Sequence, residues 1–428
     1  MLSKLTRQAI KYIITGSKGL VLQNLPPNLN RVKAEKLGLY LHIPFCKSPC
    51  FYCPYFKEKY NKEKALIYRD AVINEIAFYQ PLLEEKQITS FYIGGGTPTT
   101  MMGNGLEEII HTTKESFNMA CNISTETHPN DVTPDMIERL MCIGVENVSI
   151  GIESFNDHFL KIIGRPYVGD RAKGAVKLLI DGDFACVNID LMFGLPNQKV
   201  ADVEKDIKTA LDLGVDQISA YPIFTFPHTK LKQIVKENRF KLPGVINRRK
   251  MLKRIEELCY DADMKRTSVW AFTRKKVRKY SSVTIPQYIG LGAGAGSLIS
   301  GFFFINVFGI QEYITYLAEK QKPPIALTIN FSEKEEMTHW LYWRIYETQI
   351  NKKEFKEQFG KDFDIIFGKI FALFELLGLA NDQGDIIVMT DKGNYWIHVL
   401  QNLFSLDFIG QMWSTCLAKK WPDEIELI

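Results

Sequence analysis

From residue 38 onward, the apolar and polar residues of this chain follow two different periodic patterns. Short runs rich in β-branched and aromatic residues are separated by longer segments with apolar residues every three or four positions. The short runs predict strands over residues 39–43, 90–95, 122–127, 147–152, 186–193 and 217–223. The longer segments predict helices over residues 62–82, 104–117, 133–142, 155–163, 170–180, 200–213 and 247–264. Strands and helices in this order form parallel β–α–β units, and six units predict an α/β fold with an incomplete (β/α)6 barrel.

The pattern changes towards both ends of the chain. Residues 1–36 are predicted to form an N-terminal extension with a basic amphipathic helix that ends before Pro26 and Pro27. We expect this helix to pack against the barrel rather than to bind a membrane. Residues 37–328 then form the predicted core barrel with its extension, and residues 329–428 a mainly helical C-terminal domain.

The C-terminal domain has a winged-helix-like pattern. Ser332 and Glu335 fit a capping box at the head of its first helix, and two further helices precede a predicted hairpin that turns at Gly384. The hairpin carries Asp382 and Asp385, where contact with phosphates would require Lys and Arg. We therefore expect this domain to cover a substrate, and we expect no nucleic acid as a partner.

Composition and charge are those of an ordinary globular protein. The chain has 428 residues, 46% of them hydrophobic and 24% charged, with a net charge of +4. Its longest apolar stretches, such as residues 298–307, are much shorter than the roughly 18–20 residues of a membrane span. The start of the chain has no signal-peptide pattern, and eight cysteines fit a reducing compartment. We expect a cytoplasmic protein without a membrane span.

A short aromatic-rich loop after the first predicted strand holds Cys46, Cys50 and Cys53 at C-x3-C-x2-C spacing. Three thiolates are one fewer than the four that close a [4Fe–4S] site, so one iron would keep an open position. A zinc site is the alternative, although no fourth Cys or His follows at the usual spacing. The other five cysteines lie among apolar neighbours, and we assign them no chemistry.

Each of the other unusual motifs also follows a predicted strand. These motifs are the glycines and threonine of residues 94–97, Glu126, Glu153, Asp190 with Gly194, and Tyr221. In parallel α/β folds ligands bind beyond the carboxyl ends of the strands, so we expect these residues to share one site. The alternative is local: a tight turn for the glycines, and a helix cap or a salt bridge for the two glutamates.

His42 lies between the first predicted strand and the cysteine loop, and it has two interpretations. It either donates a proton or holds a substrate carboxylate, or it is a packed histidine that donates to a backbone carbonyl. We favour the functional interpretation.

Seven motifs in this chain belong together: YLHIPFC, C-x3-C-x2-C, GGGTPT, ETHP, SIGIESF, GRPY and NIDLMFGLP. They resemble those of the radical S-adenosylmethionine (SAM) enzymes related to oxygen-independent coproporphyrinogen III oxidase. The resemblance covers residues 40–221 and continues in residues 289–297. In this family an electron entering the cluster cleaves SAM to methionine and a 5′-deoxyadenosyl radical, which abstracts a hydrogen from the substrate. The resemblance implies a radical SAM barrel, a [4Fe–4S] cluster, one or two SAM molecules and a flavodoxin- or ferredoxin-type electron donor.

The resemblance also implies roles for individual residues. Cys46, Cys50 and Cys53 would ligate the cluster. Tyr40 and Tyr52 would lie near the cluster and SAM, Gly95, Gly96 and Thr97 would hold the methionine part, and Glu126, Glu153 and Arg165 would bind the SAM amino acid or a second SAM. Asp190 and Gly194 would line the site, and Ala293 would contact an adenine. The catalytic candidates are Tyr40, His42 and Glu153.

Three positions depart from the oxidase. Tyr55 stands where the oxidase has a further cysteine, Glu153 where it has a glutamine, and Pro222 where it has an alanine. These departures favour carbon methylation or haem modification over oxidative decarboxylation of coproporphyrinogen III. The expected enzyme is either a coproporphyrinogen dehydrogenase-like oxidoreductase or a class C-type methyltransferase. The expected substrate is a tetrapyrrole or another flat conjugated molecule. The alternative is a haem-binding chaperone of the same family that does not turn haem over.

Two aromatic segments, residues 221–230 and 267–284, have two interpretations. They either embrace a flat anionic macrocycle, with basic groups meeting its propionates, or form solvated loops. The basic side chains are those of Arg274, Lys275, Lys276, Arg278 and Lys279.

Overall fold

The computed structural model describes residues 19–29, 32, 34–226, 228–237, 240–274 and 285–427. The strands are β1 Leu20–Gln23, β2 Lys36–Ile43, β3 Phe45–Cys46, β4 Glu58–Lys59, β5 Gln87–Gly95, β6 Asn118–Met119, β7 Ile123–Thr127, β8 Val145–Glu153, β9 Cys186–Phe193, β10 Gln217–Pro222, β11 Met264–Arg266, β12 Ala271–Arg274, β13 Tyr288–Leu291, β14 Gly296–Ile299, β15 Phe302–Asn306, β16 Ile325–Asn330, β17 Gln349–Asn351, β18 Ala380–Asp382, β19 Ile386–Met389 and β20 Glu424–Leu427. The helices are α1 Lys62–Leu83, α2 Leu106–Ser116, α3 Pro134–Cys142, α4 Asp157–Ile163, α5 Gly169–Asp181, α6 Val200–Asp212, α7 Lys230–Glu237, α8 Val245–Asp261, α9 Ile310–Lys320, α10 Glu333–Tyr346, α11 Lys352–Phe359, α12 Phe363–Leu376 and α13 Asp391–Ala418.

Six parallel strands form the centre of one large mixed sheet. They are adjacent in the order β2-β5-β7-β8-β9-β10, and at least one helix lies between each strand and the next along the chain. All six lie where the sequence predicts them, with ends shifted by at most three residues. The sheet continues beyond β10 and β2 instead of closing on itself, which confirms the prediction of an incomplete α/β barrel.

Local sequence explains where two of the helices begin. Thr133 Oγ1 accepts a hydrogen bond from the N–H of Met136 at 3.2 Å, and Pro134 occupies the first turn. At the head of α10, Ser332 and Glu335 form the predicted capping box, in which the N–H of Ser332 donates to Glu335 Oε2 at 2.8 Å. Both helices therefore start at the residues that the sequence indicates.

The other half of the sheet was not predicted. Strand β13 runs parallel to β2, with Gly290 opposite Tyr40, and β14, β15 and β16 continue the sheet in antiparallel pairs. The sequence treated residues 289–297 only as a motif. These strands place the glycine-rich turn that follows β13 against the cysteine loop. The contact is close, since a Cβ on Gly294 in this turn would lie 3.1 Å from the Phe56 ring.

The N-terminal extension differs from its prediction. Residues 20–23 form β1, which pairs antiparallel with β20 at the far end of the chain, although the sequence assigned them to a helix. Their burial alternates, with Leu22 buried and Val21 exposed, which suits a strand at the side of a sheet. The rest of the predicted helix lies outside the described residues. The predicted domain limit at residue 328 falls inside β16.

The C-terminal region has its own small core. Strands β17, β19 and β18 form a separate antiparallel sheet, and α10, α11 and α12 pack on it around Trp340, Phe355 and Phe363. This arrangement has the winged-helix-like outline that the sequence predicts. The long helix α13 follows. In the described ranges, no helix is both long enough and apolar enough to cross a lipid bilayer.

One buried carboxylate connects helix α1 to the half of the sheet that was not predicted. Glu75 is fully buried and accepts hydrogen bonds from the N–H of Gly292 at 2.7 Å, from Tyr313 Oη at 2.5 Å and from Asn306 Nδ2 at 2.8 Å. Burial raises the pKa of Glu75 to about 7. Its contacts fix the turn after β13 relative to α1, and this turn supports the cysteine loop.

Replacing Glu75 with leucine should destabilise the protein strongly. The Glu75→Leu change leaves three buried donors without acceptors, each costing about 1–3 kcal/mol, so we expect the free energy of unfolding to fall by roughly 3–5 kcal/mol. Chemical denaturation of the anaerobically purified protein measures this. Asn74→Leu, at the exposed neighbouring position of the same helix, should change the free energy of unfolding by less than about 0.5 kcal/mol. Equal effects of the two changes would contradict this role of Glu75.

Candidate active site

A cavity of about 430 Å³ opens at the carboxyl ends of the parallel strands. This is the end of an α/β barrel at which ligands bind. Sequence-predicted residues that line it are Cys46, Cys50, Cys53, Tyr52, Gly95, Gly96, Thr97, Glu126, Glu153, Arg165, Asp190 and Tyr221. The structure therefore brings most of the predicted site together, as expected from the positions of these residues after successive strands.

The glycine segment after β5 packs directly on the cysteine loop. The N–H of Gly96 donates to the carbonyl of Ile43 at 2.8 Å, and the N–H of Thr97 donates to that of Phe45 at 2.8 Å. A Cβ on Gly96 would lie only 2.6 Å from the Phe45 oxygen, and Gly95 has a φ of 118°. Glycine is required at both positions, since no other residue allows this approach at little cost.

The three predicted cluster ligands lie on one wall of the cavity. Burial raises the pKa of Cys46 to about 12 and also raises the pKa of Cys53, so these thiols stay protonated until a metal displaces the proton. Thr97 Oγ1 lies 3.7 Å from Cys46 Sγ. The other cysteines, all within the described ranges, are not among the residues that line the cavity.

This donor set fits a cluster rather than a single ion. Three thiols without a fourth match the three protein ligands of a [4Fe–4S] cluster that keeps one open iron. A tetrahedral zinc would hold its ligand sulfurs within about 2.3 Å of one point. Among the described residues, no three His, Cys, Asp or Glu side chains are grouped in a way that could hold a metal ion.

A buried ion pair between Glu153, at the end of β8, and Arg165, after α4, reaches the cysteine loop. Arg165 forms an ion pair with Glu153, donates to Cys50 Sγ at 3.1 Å and donates to the carbonyl of Gly151 at 2.8 Å. Tyr221 Oη donates to the second Glu153 oxygen at 3.1 Å. Glu153 thus has both oxygens occupied, and its contacts hold Arg165 against the cluster loop.

Glu153 also has an unusual backbone conformation. It is the last residue of β8 and has a φ of 63°, in the left-handed region that a residue with a side chain seldom adopts. Such conformations cost about 1–3 kcal/mol and concentrate at functional sites. Here the turn coincides with the ion pair of Glu153 and Arg165, both almost fully buried.

Two further carboxyl groups at the cavity have strongly raised pKa values. Burial raises the pKa of Glu126 to about 7, although Tyr92 Oη donates to it at 2.6 Å. Burial, with the nearby charges of Glu153 and Glu126, raises the pKa of Asp190 to about 8. Asp190 is therefore mostly neutral near pH 7.

Sequence reasoning missed several polar residues inside the barrel. Ser149, Asn188, Gln217 and Ser219 all line the cavity. Asn188 connects Ser149 and Ser219, because its Nδ2 donates to Ser149 Oγ at 2.7 Å and its Oδ1 accepts from Ser219 Oγ at 2.9 Å. The alternation of side chains along each strand could have identified these residues. Ser149 lies two residues before Gly151, and Asn188 lies two residues before Asp190, so each faces the same side of the sheet as the later residue.

Tyr40 and His42 are not among the residues that line the cavity. His42 Nε2 donates to the carbonyl of Phe56 at 2.9 Å, and its Nδ1 accepts from Tyr40 Oη at 2.9 Å. Burial lowers the pKa of His42 to about 4, so the ring is neutral. This geometry corresponds to the packed histidine that the sequence left open, and it occupies the hydroxyl of Tyr40 as well. The catalytic role of these two residues stays a prediction without a contact to support it.

Gly194 and Ala293 also lie outside the set that lines the cavity. Gly194 forms a turn after β9 with a φ of 73°, and a Cβ there would lie 3.2 Å from Arg248. Ala293 is fully buried and its N–H donates to Tyr68 Oη at 2.9 Å. Both residues shape the structure around the site, and an adenine contact for Ala293 is unsupported here.

Of the basic residues predicted to meet propionates, Arg274 is the one within the described ranges, and it is not among the residues that line the cavity. Thr273 on β12 pairs with Gln217, the first residue of β10, and Arg274 follows Thr273. Arg274 therefore lies at the amino-terminal end of β10, where its Nε donates to the carbonyl of Val215 at 2.9 Å. This is the end of the barrel opposite the cysteine loop, so its proposed contact with a propionate is wrong. Lys275, Lys276, Arg278 and Lys279 lie outside the described residues.

Helix α13 forms the wall of the cavity opposite the strands. Its cavity-lining residues are His398, Asn402, Ser405, Leu406, Ile409 and Trp413. They follow each other at helical spacing, so one face of the helix borders the cavity over about 22 Å from the first to the last. Trp413 packs on Tyr55 of the cysteine loop at 5.3 Å between ring centroids. The sequence predicted a covering domain but did not identify this helix face.

Comparisons with known proteins agree with this geometry. Residues 40–210 match the Radical SAM superfamily. The chain is 28% identical over 382 residues to the anaerobilin synthase of Escherichia coli O157:H7, covering 87% of this chain and 84% of that protein. It is 26% identical over 380 residues to the heme chaperone HemW of Bacillus subtilis (strain 168), covering 87% and 99%. Its fold is similar to that of coproporphyrinogen III oxidase (HemN) from Escherichia coli, a radical SAM enzyme, with a TM-score of 0.75, 20% identity and coverage of 91% and 96%.

The raised pKa of Asp190 predicts that the protein loses stability as the pH rises. In the unfolded chain Asp190 ionises near its ordinary pKa of 3.8, whereas in the fold it stays protonated up to about pH 8. The folded state therefore binds more protons over this interval, and the free energy of unfolding falls as the pH rises through it. Asp190→Asn should flatten this decrease in thermal unfolding curves between pH 6 and 9. Asp183→Asn, at an exposed turn, should keep the wild-type slope. An unchanged slope in Asp190→Asn would contradict the assignment.

Proposed function

We propose that this chain is a radical SAM protein related to HemN and HemW, with a [4Fe–4S] cluster and SAM as cofactors, and that it modifies a haem-type tetrapyrrole. The observation that carries the proposal is the composition of the cavity at the carboxyl ends of the parallel strands. One wall has the three thiols and the glycine segment, and the other walls have aromatic rings from four different segments. Those rings include Tyr221, Phe226, Trp270, Tyr346 and Trp413. Flat conjugated ligands suit such walls, since they stack on aromatic faces.

The chain's own residues divide between the two cofactors. Cys46, Cys50 and Cys53 would hold the cluster, and the half-buried segment of Gly95 and Gly96, which lines the cavity, would accept the methionine part of SAM. When bound, these cofactors supply a 5′-deoxyadenosyl radical for abstraction of a hydrogen atom from the substrate. The cover of α13 and the buried walls keep water away from this chemistry.

Charged groups around the cavity would orient the bound SAM. Glu126 has a pKa of about 7 and can accept from an amino group once it ionises. Arg165 has an Nε–H that is buried and makes no hydrogen bond with the described residues, so it is free to meet a carboxylate. Glu153 holds the Arg165 side chain in place, and this is the role that we propose for it.

Among reactions on a tetrapyrrole, we rank carbon methylation or haem modification above oxidative decarboxylation of coproporphyrinogen III. Tyr55, which replaces the further cysteine of the oxidase, packs against Trp413 and so adds to the aromatic surface near the cluster. The relative named anaerobilin synthase aligns over most of the chain. A flavodoxin- or ferredoxin-type protein is the proposed electron donor.

A haem chaperone is the second candidate. Relatives named heme chaperone HemW align with this chain at similar identity, and one of them aligns over 99% of its own length. In this case the cavity would bind haem without changing it. The two candidates share the ligand and differ in whether the macrocycle survives incubation with SAM and a reductant.

An anaerobic reaction tests the proposed function. The protein with a reconstituted cluster is mixed with SAM, a low-potential reductant and either haem or coproporphyrinogen III. We expect 5′-deoxyadenosine or S-adenosylhomocysteine in the reaction with haem, together with a tetrapyrrole product of altered mass, and mass spectrometry measures all three. Tight binding of haem that is recovered intact would instead favour the chaperone. Formation of neither nucleoside product with any substrate would exclude the enzyme.

Loss of one cluster ligand should abolish the chemistry without unfolding the chain. We expect Cys46→Ala to lose most of its iron and sulfide and to form 5′-deoxyadenosine only at the background rate, because three thiolates are the minimum for this site. Cys142→Ala removes an exposed cysteine on α3 and should retain wild-type iron, sulfide and turnover. Circular dichroism checks that both variants are folded. A folded Cys46→Ala protein with normal iron and normal SAM cleavage would refute the cluster site.

A further inference from the structure

A histidine on the covering helix has its ring held in one orientation and one tautomer. His398 Nδ1 lies 3.1 Å from Gln401 Oε1, and Gln401 Nε2 donates to the carbonyl of Tyr342 at 3.3 Å. Because the amide nitrogen must face that carbonyl, the amide oxygen must face the imidazole. An amide oxygen only accepts, so Nδ1 carries the hydrogen and Nε2 has the free lone pair.

Two aromatic rings hold the imidazole of His398 in place. Trp270 meets it edge to face at 5.2 Å between centroids, and Tyr346 packs at 5.5 Å. The residue is 4% exposed and lines the cavity, and Nε2 makes no hydrogen bond with any described residue. Burial lowers the pKa of His398 to about 4, so the lone pair is available at neutral pH.

Within the described ranges, His128 also lines the cavity, but its Nε2 does not offer a lone pair. His128 Nδ1 accepts from the N–H of Asn130 at 3.2 Å, so its Nε2 carries the hydrogen and is a donor. His228 contacts Trp413 beside the cavity, but its Nε2 lies 3.1 Å from the carbonyl of Pro54 and donates to it. His128 Nε2 has no partner among the described residues either, but it carries a hydrogen, so His398 is the described histidine at the cavity whose Nε2 has a free lone pair.

This arrangement is the one that metal-binding histidines use. A ligating imidazole donates its other N–H to a fixed acceptor, which sets the tautomer and makes the ligating nitrogen more basic. Gln401 provides that acceptor here and is itself fixed by Tyr342. Other metal ligands are not needed at this end of the cavity if the metal arrives inside a macrocycle that already supplies four nitrogens.

We propose that His398 Nε2 is an axial ligand to the iron of a haem-type molecule bound in the cavity. The inference rests on the proposed function, since it needs a tetrapyrrole in this cavity, and it adds a preference for one that contains iron. An imidazole–iron bond fixes one point of the macrocycle at the His398 end of α13, and the aromatic walls limit its rotation.

Spectroscopy of haem-loaded protein tests the inference. The full chain with its cluster is titrated anaerobically with ferric haem, ferrous haem and metal-free protoporphyrin. Resonance Raman excitation in the Soret band selects the haem over the cluster. We expect the wild type to show an iron–imidazole stretch in the ferrous state, and His398→Ala to lose it and to bind haem roughly 10- to 100-fold more weakly. Added imidazole should restore the band, whereas binding of metal-free protoporphyrin should change by less than about twofold.

Two further variants separate ligation from packing. Gln401→Leu removes the acceptor for Nδ1 and should shift the iron–imidazole stretch to lower frequency while keeping the band, because the ligating nitrogen becomes less basic. His111→Ala replaces an exposed histidine on α2 and should match the wild type in every measurement.

Each outcome decides between the proposals. A wild type that binds no haem of either oxidation state refutes both this inference and the proposed function. Haem binding with the iron–imidazole band retained in His398→Ala refutes the inference alone. Equal loss of haem and metal-free protoporphyrin binding in His398→Ala also refutes it, because the residue would then only fill space.

Discussion

The close approach of two backbones is the constraint on which the rest of this structure depends. The segment after β5 lies so near the cysteine loop that a side chain on Gly96 would overlap the Phe45 carbonyl. Two backbone hydrogen bonds join the two segments: the N–H of Gly96 donates to the carbonyl of Ile43, and the N–H of Thr97 donates to that of Phe45. Because β2 and β5 are neighbours in the sheet, their loops must meet, and the glycines let them meet without space between them. The thiols and the backbone that would receive SAM are thereby fixed relative to each other before any ligand binds.

A second constraint comes from burying so many ionisable groups around one cavity. Glu126, Glu153 and Asp190 lie on three adjacent strands, and only Glu153 has a cation paired with it. Burial therefore leaves the other two carboxyl groups with raised pKa values, near 7 and 8. An apolar core would be more stable, and the cost is borne at the site where a charged cofactor is expected. Binding of that cofactor would supply the missing opposite charges.

The sequence predicts the six parallel strands and most of the cavity residues because both follow from short-range patterns. Strand ends converge in any parallel sheet, so Cys46, Glu126 and Asp190 could be placed together without a structure. The role of His42 could not be predicted, because its partner is a carbonyl of Phe56 in a loop with no regular pattern. The pairings of β13 with β2 and of β1 with β20 were missed because they join strands that lie far apart in the sequence. The face of α13 was readable as a helical stripe, but nothing local says that it meets Tyr55, which lies more than three hundred residues earlier.

The far ends of the chain then determine how well the cavity is covered. Helix α13 is anchored near its start, where Asp391 pairs with Arg266 and Tyr395 Oη donates to the carbonyl of Val245 at 2.6 Å. A short connection after its last turn leads to β20, which pairs with β1 in the main sheet. A helix held at both ends is a fixed wall rather than a hinged lid. The cysteine loop and His398 therefore lie in a fixed relation at opposite ends of the same helix face, which a rigid flat ligand between them would require.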